Sequence, residues 1–574
     1  MKKNLEIAAL FNQLADILEI RGELPFKVSA YRKAARTLEN LDKNVEEIFS
    51  QTPAQKIPGI GEGLEKKIRE YLETGKISKL EEEKKKIPVG LVDLLSIPGL
   101  GPKTIAKAAD KLGVKNITDL KRVIENGSLT NLFGLGKKKV EGILKGIQFR
   151  EKQHGRITLR EATEIANEII EYMKKGPKIK EISPAGSLRR KKETIGDIDI
   201  IVAAKDGEKI IQHFCNFPGT SNVIASGTTK GSILIESPEG SRQVDLRVVT
   251  PAEFGSALQY FTGSKEHNIK IRNIAKQKGL KISEYGVFRD DKKIAGKKEE
   301  EVYEILGLRW IPPELREDRG EIEASGVGGL PELVELSDIK GDLHIHSNFS
   351  DGNSSIEEIV KKAVKLGYSY VAITDHSVSV KYANGLEPER LEKQWEEISR
   401  VQRNHPEIRI LKGTEVDILS DGKLDYPDSL LEKLDWVIAA IHQGFKKNVT
   451  ERIIFALRNP HVNAVAHPTG RLLSRREGYE VDIDKVIEEA GKLGKCLELN
   501  SYYDRLDLSD QNLMKAKKAG VKIAIGTDSH DIAGLNQMQF GVGTARRGWL
   551  EKKDIINCFE TEALEKFLKS KKAK

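Results

Sequence analysis

From about residue 340 onward, short apolar runs alternate with amphipathic segments: YVAIT, ILKGTEV, WVIAAI, NAVAH, CLELN and KIAIGT. That alternation is what buried parallel strands and their crossover helices produce, and sustained over this length it predicts an α/β barrel across residues 339–574. A barrel collects its functional groups at the carboxyl ends of its strands. Polar residues fall at those places. His344 and His346 share one strand face in DLHIHSNFSDG, with Asp351 on the following loop, and Asp375 and His376 sit in ITDHS. Glu415 lies in GTEVD, His442 in AAIHQG, His467 in AVAHPTGR, and Asp528 and His530 in GTDSHD. Eight of the 11 histidines follow residue 340 and six of those eight belong to this set, which leaves His405 and His461 as surface residues. One such histidine is ordinarily structural. Nine of these ligand-type residues (all but Asp375) converging on one rim point to a metal-dependent enzyme.

The opposite end of the chain is basic and repetitive. Residues 1–150 carry 28 Lys and Arg against 20 Asp and Glu, the whole of the net charge of +8. The pattern from 1 to about 50 is helical, with Leu5, Ala9, Leu14 and Leu18 on an amphipathic face and Glu6, Asp16 and Glu19 breaking any signal-like apolar stretch. One unit then recurs three times, as IPGIGEGLEKKI, IPGLGPKTIAKAA and LFGLGKKKVEGIL. Paired glycines (Gly59 and Gly61, Gly99 and Gly101, Gly134 and Gly136) allow a tight turn whose N–H groups face an anion as the next helix begins. Trailing lysines add charge. These units resemble helix-hairpin-helix motifs, which grip DNA phosphates without reading bases.

Between the two ends, residues 160–174 read as a helix, followed by strand-like runs at 179–185, 197–204, 222–226 and 243–249. ISPAGSLRRKKETIGDIDIIV places Gly186 and Ser187 at the end of one strand and Asp197 and Asp199 on the next. Carboxylates two apart on a strand share a face and repel unless cations neutralise them, so two Mg²⁺ ions are natural occupants, and Asp245 on a later run completes the set. The Gly-Ser turn suits phosphate oxygens, with Arg189 and Arg190 to balance charge. Together these look like a nucleotidyltransferase palm.

With YFTGSKEHNIKIR downstream, the chain resembles the family X DNA polymerases across residues 1 to about 315. The resemblance implies that Asp197 and Asp199 bind both ions and that Asp245 binds the catalytic one and helps to activate the primer 3′-OH. It puts Ser187 and Arg189 on the triphosphate tail. Tyr260, Phe261 and Gly263 would shape the sugar pocket, with Asn268 at the base edge and Arg272 near the template. Vertebrate repair members carry arginine two residues before the third carboxylate, where this chain has Gln243. FKVSAYRKAA and IPGIGEGLEKKI are similar to the family's lyase domain, which implies Lys67 as Schiff-base nucleophile, supported by Lys27 and Tyr31. Gly63 stands where lyase members carry another lysine, so a lyase and a purely DNA-binding domain are both open. The histidine-rich rim resembles the PHP phosphoesterase domain, which binds three ions, Mn²⁺ or Zn²⁺. All nine positions are filled, and mixed imidazole and carboxylate ligation suits both metals. Arg471, Arg475 and Arg476 stand near the rim to guide a nucleic-acid backbone.

The expected organisation is multidomain: a lyase-like helical domain (1–85), a second helix-hairpin-helix domain (86–150), an α/β palm (151–250), a thumb (251–316), a linker (317–338) and the distorted PHP barrel (339–574). With no long apolar run and only three cysteines, Cys215, Cys496 and Cys558, the chain reads as cytoplasmic, free of disulfides and membrane spans, and monomeric. The expected function is filling of short DNA gaps in repair from dNTPs on gapped or nicked DNA, with 3′–5′ end trimming and cutting at abasic sites. Two alternatives are a metal-dependent phosphoesterase on an inactive polymerase body and a non-catalytic gap-binding scaffold.

Overall fold

The computed structural model describes residues 2–39, 45–50, 57, 60–95, 97, 100–130, 140, 143–144, 147, 156–237, 240–473 and 475–572. The chain divides into two units, Met1–His154 and Gly155–Lys574.

The first unit is helical. Helix Lys2–Ile20 presents Ile7, Ala8, Phe11, Leu14 and Leu18 to Ala34, Ala35 and Leu38 of helix Pro25–Glu39, and Ile68, Ile77 and Leu80 close the same core. Leu14 and Leu18 are buried as the sequence pattern implies, whereas Ala9 is exposed and Ile7 and Ala8 take the seam. Leu91, Leu94, Ile105, Ala108, Leu120 and Val123 form a second core. Two glycine units are alike in detail. Gly61 precedes helix Glu62–Thr74 and Gly101 precedes helix Pro102–Leu112, both with extended backbone and no side-chain cap. Each turn is tied by the same bond, Ile60 N–H to Ile57 O and Leu100 N–H to Ile97 O, both 3.1 Å. Gly59, Gly99, Gly134 and Gly136 lie outside the described residues.

The second unit opens with β1 (Ile157–Thr158), whose Thr158 hydroxyl caps helix Leu159–Lys174 by accepting from Glu161 N–H. The strands that follow are β2 (Glu181–Pro184), β3 (Thr194–Ile195), β4 (Ile198–Ala203), β5 (Thr220–Ser226), β6 (Lys230–Ser237) and β7 (Gly240–Val249). Five of them form a sheet in the order β2-β4-β7-β6-β5, with β4 and β7 parallel and every other pair antiparallel. Strand β6, in GSILIES, is the one that sequence reading passed over. On β4, Ile198, Ile200 and Val202 face one core while Ile201 and Ala203 face Phe254 and Ala257, so the strand is apolar on both sides. The carboxylates at its amino end therefore stand at the edge of a fully packed sheet.

Next come helices Phe254–Thr262 and Lys265–Gln277 and a small antiparallel sheet of β8 (Leu280–Ser283), β9 (Gly286–Arg289) and β10 (Lys292–Ala295). Residues 317–338 are packed where an open linker was expected. They carry helix Glu321–Gly326, and the Glu321 carboxylate, fully buried, lies 2.7 Å from His267 Nδ1.

The barrel is formed by β11 (Gly341–Ile345), β12 (Tyr370–Ile373), β13 (Arg409–Asp417), β14 (Trp436–Ala440), β15 (Ala464–Val465), β16 (Cys496–Asn500) and β17 (Ile523–Gly526). All are parallel and run in sequence order. The two ends of the sheet meet where His346 N–H bonds Ser529 O and Asp528 N–H bonds His344 O, both 2.9 Å. That seam draws the two strands bearing most of the ligand-type residues together.

Candidate active sites

The first site lies where β4 and β7 run side by side. Parallel register sets Asp199 directly opposite Asp245, and Asp197 stands in the bend just before β4. Burial together with the charges of Asp197 and Asp245 pushes the Asp199 carboxyl up to about 7. Burial also acts to raise Asp245, but hydrogen bonds from Gln243, Ser232 and Lys230 hold it below its ordinary value. Gln243 Nε2 is 2.9 Å from Asp245 Oδ1, and Lys230 Nζ is 2.9 Å from Oδ2. The cation that Gln243 cannot supply thus comes from β6, paired beside β7. Three carboxylates with so little compensation are an oxygen donor set for divalent ions.

The turn before β4 completes the cleft. Gly186 has φ +57°, and a Cβ there would stand 2.3 Å from Asp199 Oδ2, so only glycine lets the turn approach the carboxylate. A cleft of about 500 Å³ is lined by Gly186, Ser187, Arg190, Asp197, Asp199, Tyr260, Phe261, Gly263, Asn268 and Arg272, among others. The Tyr260 and Phe261 rings meet edge to face with centroids 5.2 Å apart. Asn268 is oriented by donating to Tyr260 O (2.7 Å) and accepting from Gln259 (2.8 Å).

Arg189, assigned from the sequence to the triphosphate tail, is committed elsewhere. Its guanidinium forks onto Glu299 (2.7 and 2.9 Å) and reaches Thr262 Oγ1 (2.7 Å). Glu299 is buried and also holds Arg316 and the Trp310 indole N–H, so this network locks helix Gly186–Arg189 to the thumb. Of the two adjacent arginines it is Arg190 that lines the cleft, alongside Arg156, Lys192, Lys265 and Arg272. Arg-Arg in sequence does not reveal which of the two turns inward.

The second site lies at the carboxyl ends of the barrel strands, and all nine sequence-selected residues meet there. His346, Asp351, His376 and His530 form one group of converging donor atoms, His344, His346 and Asp528 a second, and His376, Glu415 and His442 a third. His467 Nε2 joins Glu415 Oε1 at 2.9 Å. His344 Nε2 and His346 Nε2 stand 3.1 Å apart, and Asp528 Oδ1 is 3.2 Å from the latter. Two ring nitrogens and a carboxylate oxygen aimed at one point leave a place for a cation. Among the described residues the buried His346 Nδ1 and His467 Nδ1 have no hydrogen-bond partner, and such groups ordinarily have one. The donor set fits divalent ions.

Charges inside this cluster are strongly polarised. Burial and the neighbouring His530 and His376 push His346 down to about 3, and burial with Arg505 takes His467 down to about 4. His442 and His530 rise to about 9 against burial, the first through Glu415 and Asp417, the second through Asp351 and Asp528. Sequence reading missed the supports. Glu498 on β16 accepts at 2.6 Å from both His344 Nδ1 and His467 N–H, and Asp417 lies 3.3 Å from His442 Nδ1. An acidic residue inside the apolar run CLELN was the signal for the first. Asp375 ties the first loop through Ser347, Ser350 and Gln394.

Of the rim arginines, Arg471 pairs with Glu193 of the palm and donates to Arg505 O and Leu506 O, which removes it from any groove. Arg476 donates to Gly470 O and stacks over Phe445. Arg475 is exposed. In the first unit, Lys67 is half-buried and donates to Gly63 O at 3.0 Å. Among the described residues no helix is long and apolar enough to cross a membrane, and none of the three cysteines is in a disulfide.

Five family models match the chain between residues 2 and 504: a helix-hairpin-helix domain at residues 2–77 and a SAM-like helix-hairpin-helix tandem at 91–148. The DNA polymerase beta palm matches 156–234, the DNA polymerase beta thumb 257–317, and the PHP domain 342–504. The chain is 45% identical over 569 residues to the DNA polymerase/3′-5′ exonuclease PolX of Bacillus subtilis (strain 168), covering 98% of this chain and 99% of that protein. Its barrel is 30% identical over 257 residues to a probable phosphatase of Thermoanaerobacter sp. (strain X514) and 31% identical over 249 to one of Acetivibrio thermocellus, covering 96% and 95% of those proteins.

Proposed function

The chain belongs to the family X DNA polymerases that carry a C-terminal PHP domain, and on that premise we propose that it fills short DNA gaps at the palm and trims 3′ ends at the barrel. The observation that carries this reading is the side-by-side pair Asp199 and Asp245, with Asp197 and the Gly186–Ser187 turn on one cleft. Two Mg²⁺ ions at these carboxylates would supply the charge neutralisation that phosphoryl transfer needs. Asp245, kept ionised by Lys230 and Gln243, takes up the primer 3′-OH. Ser187 and Arg190 hold the triphosphate tail. Tyr260, Phe261 and Gly263 shape the sugar pocket, Asn268 meets the base edge, and Arg272 reaches toward the template. Gly61 and Gly101, with Gly59, Gly99, Gly134 and Gly136, grip the duplex phosphates.

At the barrel, His344, His346, Asp351, His376, Glu415, His442, His467, Asp528 and His530 hold three Mn²⁺ or Zn²⁺ ions. Glu498 orients the His344 ring by accepting from its Nδ1, and the Asp417 carboxylate stands beside Nδ1 of His442. The bond cleaved is the phosphodiester at a 3′ end, and blocked 3′ ends and abasic sites are further substrates. A labelled gapped duplex, with and without dNTPs in Mg²⁺ or Mn²⁺, tests both halves: extension needs dNTPs, shortening does not. Binding with neither reaction would leave only a scaffold.

Lys67 is proposed as the Schiff-base nucleophile of a 5′-deoxyribose-phosphate lyase. Borohydride should trap the protein on such an end, and Lys67→Ala should lose most of that trapping. No adduct with the wild type leaves the domain a DNA grip.

A further inference from the structure

The barrel touches the backbone of a residue that lines the polymerase cleft. Arg547 ends helix Met538–Arg547, which follows the loop carrying Asp528 and His530, and only 2% of its side chain is exposed. Its guanidinium donates to the carbonyl of Arg190 at 2.8 Å, to Glu317 Oε1 at 2.9 Å and to Asp510 Oδ2 at 2.7 Å. Glu317 Oε1 also accepts from Arg190 Nε at 3.0 Å, so one carboxylate oxygen is divided between a cleft cation and a barrel cation. Arg319 shares Asp510 at 3.0 Å, giving a chain of alternating charge from the cleft to the barrel: Arg190, Glu317, Arg547, Asp510, Arg319. Gly543 on the same helix would place a Cβ 3.3 Å from the Lys191 side chain, so the helix lies close along the turn that shapes the cleft.

An ion pair that only glued barrel to palm would not need to share its acceptor with a cleft residue. Arg471 already ties the barrel to the palm through Glu193, and Arg546 ties it to the thumb and the segment after it through Glu314 and Glu335. Arg547 instead caps the Arg190 carbonyl and takes part of the Glu317 charge. Arg190 Nη1 also donates to the Thr262 carbonyl, and without Arg547 the full charge of Glu317 competes with that bond for the guanidinium and draws it away from the cleft.

We propose that Arg547 is a positioning residue for nucleotide binding: through Glu317 and the Arg190 carbonyl it fixes Arg190 toward the triphosphate, so that the barrel completes the polymerase cleft. This rests on Arg190 holding the triphosphate, and the experiment separates the two.

Full-length Arg190→Met, Arg547→Met, Arg547→Lys and the Arg190/Arg547 double variant are compared in single-turnover dNTP titrations on a one-nucleotide gap. Arg547→Met should raise the apparent Kd for dNTP about five- to tenfold, as coupling within one ion-pair network allows, with the extension rate at saturation changed less than about twofold. Arg547→Lys should recover most of the affinity. The double variant should be no worse than Arg190→Met alone. Unchanged gapped-DNA affinity and 3′-end trimming in Arg547→Met show that both halves are folded. If Arg547→Met does not fold, Glu317→Gln reads the same link, and an unchanged dNTP Kd there overturns the inference. Normal dNTP affinity in Arg547→Met, or losses that multiply in the double variant, also overturn it while leaving the role of Arg190 standing. Unchanged affinity in Arg190→Met removes that role and the inference with it.

Discussion

The two sites solve the same electrostatic problem in opposite ways. The palm gathers three carboxylates with no imidazole among them and offsets them from outside, by Lys230 and Gln243 on Asp245. The barrel interleaves six histidines with three carboxylates, so that each Asp or Glu finds its counter-charge inside the cluster. Hard oxygen donors suit Mg²⁺, an ion that must exchange quickly with an incoming triphosphate, whereas mixed nitrogen and oxygen donors suit a resident transition ion. The difference shows in burial: six of the nine barrel ligands are buried, while the palm carboxylates open onto a cleft.

The strongest test of that division is to empty one site and leave the other. Asp245→Asn should lower extension about a thousandfold, the several kcal/mol that a divalent ion supplies to the transition state, and leave 3′-end trimming and gapped-DNA binding in place. Replacing His344 and His346 by Ala should do the converse. Trimming should fall more than about a hundredfold, since even a supporting partner of a ligand is worth 10- to 100-fold, while extension is retained. Extension assays on a gapped duplex and degradation of a labelled 3′ end read the pair. Loss of both activities in either variant would mean that the sites are not separate.

A third variant probes the palm geometry alone. Gly186→Ala adds a Cβ 2.3 Å from Asp199 Oδ2 at a φ of +57°. The cost of a left-handed residue and the displaced carboxylate come to about 2 kcal/mol, so extension should fall roughly thirtyfold with trimming unchanged.

The smallest effect is one of pH, and it separates the sites by window. His442 and His530, raised to about 9 in the ion-free protein, carry protons that a metal must displace. Mn²⁺ affinity at the barrel should therefore rise about tenfold per pH unit for each proton displaced, up to pH 9, with proton release measurable by calorimetry in two buffers. Because those two folded values are raised, their contribution to ion-free stability is full below pH 6.5 and lost as pH rises through about 9, and melting temperatures should follow. At the palm, Asp199 is raised to about 7, so Mg²⁺ affinity should fall about twofold on going from pH 8 to 7 and then more steeply. Equal pH profiles at the two sites would break the comparison.

How much of this was legible in the sequence differs between the sites for the same reason. At the barrel, nearly all the ligands fall at the ends of apolar strands, and a parallel barrel brings all strand ends to one rim, so residues spread over nearly 190 positions could be picked out by local pattern, with the resemblance to the PHP domain fixing the set of nine. Their supports were harder to see. Glu498 sits in mid-strand and Asp417 two residues beyond a ligand, and neither looks different from a structural charge until β13, β16 and their neighbours are in register. At the palm, Asp197, Asp199 and Asp245 were legible from spacing. Lys230 was not, because its strand, β6, was not recognised and its role depends on which strand lies beside β7.

The linear order of the residues by itself determined the classes of structure: helices around paired glycines, a mixed sheet with an acidic edge, and a parallel barrel with histidines at its mouth. Periodicity and side-chain type are local properties, and secondary structure follows them closely. Only the tertiary structure decided direction and partnership. It turned Arg189 to Glu299 and Arg190 to the cleft, folded residues 317–338 against His267 and Arg547, and drew Arg471 to Glu193. An arginine is long and flexible and commits to whichever carboxylate the packed elements bring within reach. That carboxylate can lie more than two hundred residues away in sequence, as Glu193 does from Arg471, where no local pattern records it.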